Sequence, residues 1–229
     1  CSILARNRSH RVFFILVASS GWAAGHSPGS SCDLVDFYSE KVKFCQSVPP
    51  ATGQDAVIFD SGTVALSASA DLLLGAVINT GANQDASPIS LMVVNGDQVA
   101  EAFDVDQSAG VRVGHNSANA PEVDVLVNDA KVFSNLAFTE TVPSAARDSY
   151  AALPGGETNV KVAVSADNTL VPIDADLLLV NGQGYTALAI GLVGDVDTPI
   201  EALVLEDSVR SIATQASLRV VHGSTAAGN

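Results

Sequence analysis

The stretch Ala109-Gly110-Val111-Arg112-Val113-Gly114-His115 returns, little changed, as Ala216-Ser217-Leu218-Arg219-Val220-Val221-His222. The two copies lie 107 residues apart, the length of one β-sandwich domain. A phrase that recurs at that period marks a chain assembled from like modules. The first copy opens a full module over 109–214. The second opens a segment, 215–229, that supplies one strand, Ser217–His222, with no partner strands of its own. A lone apolar strand in water invites pairing with another chain.

Outward from the first copy, the module reads as a succession of short strands. Val111–Gly114 is the first, and Asn116–Pro121 a turn that Pro121 ends. Val123, Val125 and Val127 then alternate with Asp124, Leu126 and Asn128, which puts three valines on one face of a strand. Asn128-Asp129 turns the chain into Lys131–Phe138. Pro154-Gly155-Gly156 is another turn signal before Val160, Val162 and Val164, with Lys161 on the outer face. Leu177–Val180 and Tyr185–Val193 flank Asn181-Gly182-Gln183-Gly184, and Ile200–Leu205 closes the unit. Ser144–Ala152 suggests a turn of helix. About seven short strands at such spacing predict an immunoglobulin-like antiparallel sandwich.

The same grammar runs backward from 108. Ala56–Phe59, Leu72–Ile78 and Ile89–Val94 match the closing strands of the clear module, and Leu34–Tyr38 is the counterpart of Val123–Val127. The chain therefore divides into a tail, 1–10, a diverged module, 11–108, a clear module, 109–214, and the lone strand segment, 215–229. The expected class is all-β, as tandem sandwiches. Aromatics at 5% and apolar residues at 47%, mostly Val, Leu, Ala and Ile, agree with it.

Charge excludes some partners. The 229 residues carry a net charge of −14. No Lys or Arg occurs between Lys43 and Arg112. Such a surface repels nucleic acid, whose binding needs clustered cations. No run approaches the ~20 apolar residues of a membrane helix. Arg6, Arg8 and Arg11 before Val12–Ala18 have a signal-peptide flavour, but a run of seven apolar residues reads better as a buried first strand.

Cys1, Cys32 and Cys45 lie outside any CxxC pair, and no histidine stands at zinc spacing from them. In an oxidising compartment Cys32 and Cys45 would pair. Cys1 is then left free, bonded to another chain, or the lipid-bearing first residue of a lipoprotein. His115 and His222 end equivalent strands, where an imidazole caps its own sheet edge; metal or catalytic roles lack recurring partners. Alternate carboxylates on an extended segment point the same way and grip hard cations such as calcium. This makes Asp104, Asp106, Asp195 and Asp197 calcium candidates, with Asp174 and Asp176 a third pair. The blander reading, solvated edge carboxylates that discourage sheet pairing, is preferred. No phosphate loop is present, and the sequence reads as non-enzymatic and without a cofactor.

The run Val111–Val125, with Arg112-Val113-Gly114-His115, Ala120-Pro121 and Val123-Asp124-Val125, resembles the bacterial and archaeal family named domain of unknown function 4397. That family opens on R-V-V-H-A-S, then A-P, then V-D-V-Y-V; Arg219–Ser224 matches the opening too. Here Gly114 replaces the usual Val and Leu126 the usual Tyr. The resemblance implies a secreted or cell-surface repeat protein and no activity. The expected function is a structural subunit that forms a homopolymeric surface filament or array by exchanging the strand Ser217–His222. The alternatives are an adhesive module for glycan or protein, thinly supported by one Trp and three Tyr, and a monomeric piece of a longer array.

Overall fold

The computed structural model describes residues 11–16, 35–36, 41–46, 56–63, 71–143, 149–208, 210, 214, 216 and 218–225. The chain forms two compact units, 1–107 and 108–229. The described residues are all-β, with several antiparallel sheets and, for helix, one short 3-10 turn at Gln84–Ala86.

In the first unit the strands are β1 (Arg11–Leu16), β2 (Val35–Asp36), β3 (Lys41–Gln46), β4 (Ala56–Thr63), β5 (Asp71–Ile78), β6 (Ile89–Asn95) and β7 (Gln98–Ala102). They make two sheets, ordered β1-β5-β6-β7 and β2-β3-β4. Phe59 of β4 packs with Leu72, Leu74, Ile89 and Leu91 in one small core. A buried polar network holds the loop after β5. The Asn79 amide donates to Ser87 O (2.7 Å) and Gln107 Oε1 (2.8 Å), while Gln107 Nε2 donates to Ala82 O (2.7 Å). The buried amides of Asn79 and Gln107 are thus partnered, as a dry interior requires.

In the second unit the strands are β8 (Ala109–His115), β9 (Val123–Val127), β10 (Ala130–Leu136), β11 (Thr141–Val142), β12 (Ala151–Leu153), β13 (Gly156–Val164), β14 (Ile173–Leu179), β15 (Gly184–Ile190) and β16 (Glu201–Asp207). One sheet is ordered β10-β9-β13-β14. The other is β11-β8-β15-β16, with β12 also paired to β8. The period-two pattern explains how they meet. Val123, Val125 and Val127 of β9 and Val160 and Val162 of β13 share a core with Val111 and Val113 of β8 and Tyr185, Ala187 and Ala189 of β15. Each such valine contributes roughly 1.5 kcal/mol or more when fully buried. The β9–β10 turn is the two-residue loop Asn128-Asp129, both at positive φ (47° and 65°), the geometry of a twisted hairpin turn that Asn and Asp tolerate.

Three expectations are corrected. The sheets are not purely antiparallel: β8 runs parallel to β15 and β1 parallel to β5, so the strand opening each unit lies beside one that comes much later. Ala151 and Ala152 are not helical but pair with β8, because Val111 and Gly110 leave an edge that an apolar run can complete. Leu218–His222 is not a strand. The tail 1–10, Cys1 and Cys32 lie outside the described residues, and Cys45 falls in β3, so the Cys32–Cys45 expectation lies outside them too.

Candidate functional site

The repeated arginines meet. Arg112 projects from β8 opposite the valine face and Thr186 is its register partner on β15. Asp207, the last residue of β16, stands beside them. Its Oδ2 accepts from Thr186 Oγ1 (2.5 Å), Tyr150 OH (2.9 Å) and Arg112 Nη2 (3.2 Å). The Arg112 guanidinium also lies over the Tyr150 ring, 4.9 Å from its centre. Arg219, the counterpart of Arg112 in the second copy, donates to the other oxygen, Asp207 Oδ1, at 3.1 Å, and to the carbonyl of Glu206. One carboxylate therefore holds both copies of the repeat's arginine. The Arg112 and Asp207 side chains are about one-seventh exposed (14% and 15%), so this ion pair is shielded from water far better than Arg219's.

The segment 218–225 follows the β15–β16 hairpin. Arg219 sits at Asp207, and a Cβ at Gly223 would stand 3.7 Å from Ile190 Cγ2, at the hairpin's other end. The segment so runs in the direction of β15, which is also the direction of β8. Its apolar residues are uncovered. Leu218 is 87% exposed and Val220 83%, whereas their counterparts Val111 and Val113 are each 4% exposed.

The end of the phrase keeps its local shape in both places. Ser117 N donates to His115 Nδ1 at 3.3 Å, and Ser224 N donates to His222 Nδ1 at 3.3 Å. In β8 the imidazole goes further. His115 is wholly buried, its Nε2 lies 3.0 Å from Pro121 O, and Phe138 meets its ring edge-on. The bonds suit a ring with its proton on Nε2, donating to one backbone group and accepting from another. His115 is therefore a cap on its own sheet, and His222 is the same cap without a sheet beneath it.

A family model described as Domain of unknown function (DUF4397) matches residues 109–229. The chain belongs to that family. No curated protein matches the sequence. The family match covers β8–β16 and the segment 218–225, so both copies of the repeated phrase fall inside it.

Four of the carboxylate candidates are engaged by hydrogen bonds within their own unit. Asp104 is buried; its Oδ1 accepts from Asp106 N (2.8 Å) and its Oδ2 from Asp60 N (2.7 Å). Asp195 Oδ1 accepts from Asp197 N and Thr198 N, both at 2.9 Å, and these bonds lower its pKa. Asp174 and Asp176 both receive the Asn159 amide, at 2.8 and 2.9 Å. Among the described residues no group of three or more His, Cys, Asp or Glu is placed to hold a metal ion, and no helix is long and apolar enough to cross a membrane.

Sequence reasoning missed Asp207 and the role of Asp124. Asp124 is on the outer face of β9 as the alternation predicts, yet it is 1% exposed. Its Oδ1 accepts from Ser165 Oγ (2.7 Å) and Asn135 N (2.9 Å), and its Oδ2 from Asn168 Nδ2 (2.9 Å) and Lys131 Nζ. The Lys131 bond above all, with those from Ser165, Asn135 and Asn168, holds the carboxyl well below the usual carboxylate range against the opposing effect of burial. The signal available was its place between two valines in the motif Val123-Asp124-Val125.

Proposed function

We propose that the chain is an extracellular structural protein, built as tandem immunoglobulin-like sandwiches, whose copies assemble through residues 218–222 into a surface filament or array. The observation that carries this reading is the contrast between the two copies of the repeated phrase. Val111 and Val113 are buried in a sheet; Leu218 and Val220, at the same places in the phrase, face water. A strand sequence that has no sheet is an invitation to pair with one elsewhere. A surface charge of −14 keeps copies apart except where an apolar contact draws them together, and the segment supplies that contact with a cation in its midst. The family resemblance supports the extracellular placement.

Sedimentation over a concentration series tests the proposal. The wild-type chain is expected to run as species heavier than its 23.4 kDa monomer. The variant Leu218→Ser/Val220→Ser is expected to run as the monomer with an unchanged circular dichroism spectrum. A wild-type chain that stays monomeric throughout, as the longer-array reading expects, would overturn the proposal.

A further inference from the structure

We propose that the seam between β14 and β16 is the groove that receives residues 218–222 of a second copy, with Asp207 as the anchor for the incoming Arg219. This rests on the assembly reading above and adds the acceptor. Among the described residues β14 and β16 are each the outermost strand of their sheets, and they approach each other. Between them lies a small apolar cavity of about 20 Å³, lined by Ala175 and Leu177 of β14, Ala202 and Val204 of β16, and Val162 and Val113 behind them. The first four are only half-buried, so the core reaches solvent along this seam. Val113 is the counterpart of Val220. The seam is thus already lined by a copy of the residue that would pack against it.

Direction and parity fit as well. A strand added to the free edge of β16, antiparallel to it, would run as β8 does. Alternate residues face opposite sides, so with Arg219 outward at Asp207, Leu218 and Val220 turn inward to the seam. This is the arrangement of β8, where Arg112 reaches Asp207 from the other side and Val111 and Val113 face the core. Within one chain the arginine already makes its contact, but Leu218 and Val220 remain uncovered. The charge half of the interface is satisfied in the single chain and the apolar half is not. Exchanging the segment between copies satisfies both, which is the logic of a swapped element.

Two full-length variants test the seam. Leu218→Ser/Val220→Ser removes the donor row and leaves the seam. Ala202→Arg fills the seam and leaves the donor. Each alone is expected to be monomeric by sedimentation, and an equimolar mixture to form a one-to-one dimer. A mixture that stays monomeric overturns the proposal. Wild-type association that disappears in Leu218→Ser/Val220→Ser but persists in Ala202→Arg overturns the seam while leaving the assembly reading intact. A wild-type chain that never associates overturns both. Should Ala202→Arg fail to fold, a synthetic peptide of residues 216–225 decides. In excess it is expected to dissociate wild-type assemblies, and its Arg219→Glu form to need about tenfold more, a loss of roughly 1.4 kcal/mol. A peptide without effect, or one indifferent to Arg219→Glu, overturns the proposal.

Discussion

Asp124 sits on the polar face of its strand and still leaves water, because Lys131, Asn135, Ser165 and Asn168 close over it. Its pKa is lower in the folded chain than in the unfolded one. It therefore contributes stability that is fully present above the unfolded carboxyl's value, about 4, and that is lost as pH falls from there toward the folded value. Asp124→Asn is expected to cost roughly 2–3 kcal/mol at pH 7, since it removes a charge-assisted bond and misplaces a donor among donors. Denaturant melts from pH 7 to pH 2 should show the gap between wild type and variant closing below about pH 4. Gly191 is a second residue where the backbone decides. Its φ is +87°, and a Cβ there would come within 2.1 Å of Pro199 O. Gly191→Ala is expected to lose about 2–3 kcal/mol by urea denaturation, more than an ordinary surface change.

Among the elements, β9 was legible to the residue because Val-Asp-Val-Leu-Val states its period outright. Ala56–Phe59, Leu72–Ile78 and Ile89–Val94, read by likeness to the clear module, fall within β4, β5 and β6, whereas β7 was not foreseen. The strands β11 and β12, two and three residues long, carry no alternation to read. The parallel pairing of β8 with β15 was hidden because a local pattern says which face is apolar and not which strand lies alongside. Asp207 was hidden for a related reason: its side-chain partners Thr186, Tyr150 and Arg112 are 21, 57 and 95 residues away in sequence. Sequence did reveal the segment 217–222 as a copy of β8, but its strand conformation belongs to the sheet that β8 has and the copy lacks. Arg219→Gln isolates what the clasp itself contributes. The pair is half-exposed on the arginine side, so chemical stability should change by less than about 1 kcal/mol. Limited proteolysis should nonetheless cut the variant faster within 218–225, with fragments read by mass spectrometry.

At the scale of the molecule, each of the two units has a core of its own, and among the described residues the one in 108–229 is the larger. The second unit is expected to fold when expressed alone as residues 108–229. A single cooperative thermal transition and a dispersed amide NMR spectrum would establish it; a chain that binds hydrophobic dye and melts without cooperativity would refute it.

The parallel partner of β8 is slow to arrive. Gly110 pairs with Gly184, so 74 residues must leave the ribosome before β8 has its neighbour. At ~5–20 residues per second this is a wait of several seconds, long compared with the microseconds of a hairpin. The Ser117–His115 bond needs nothing distant, and its counterpart Ser224–His222 is made in an exposed segment. Residues 218–225, with their turn made and their valines in water, are a portrait of β8 during nascence. A chain under synthesis thus passes through a stage in which β8 is as available to strangers as the segment that follows β16.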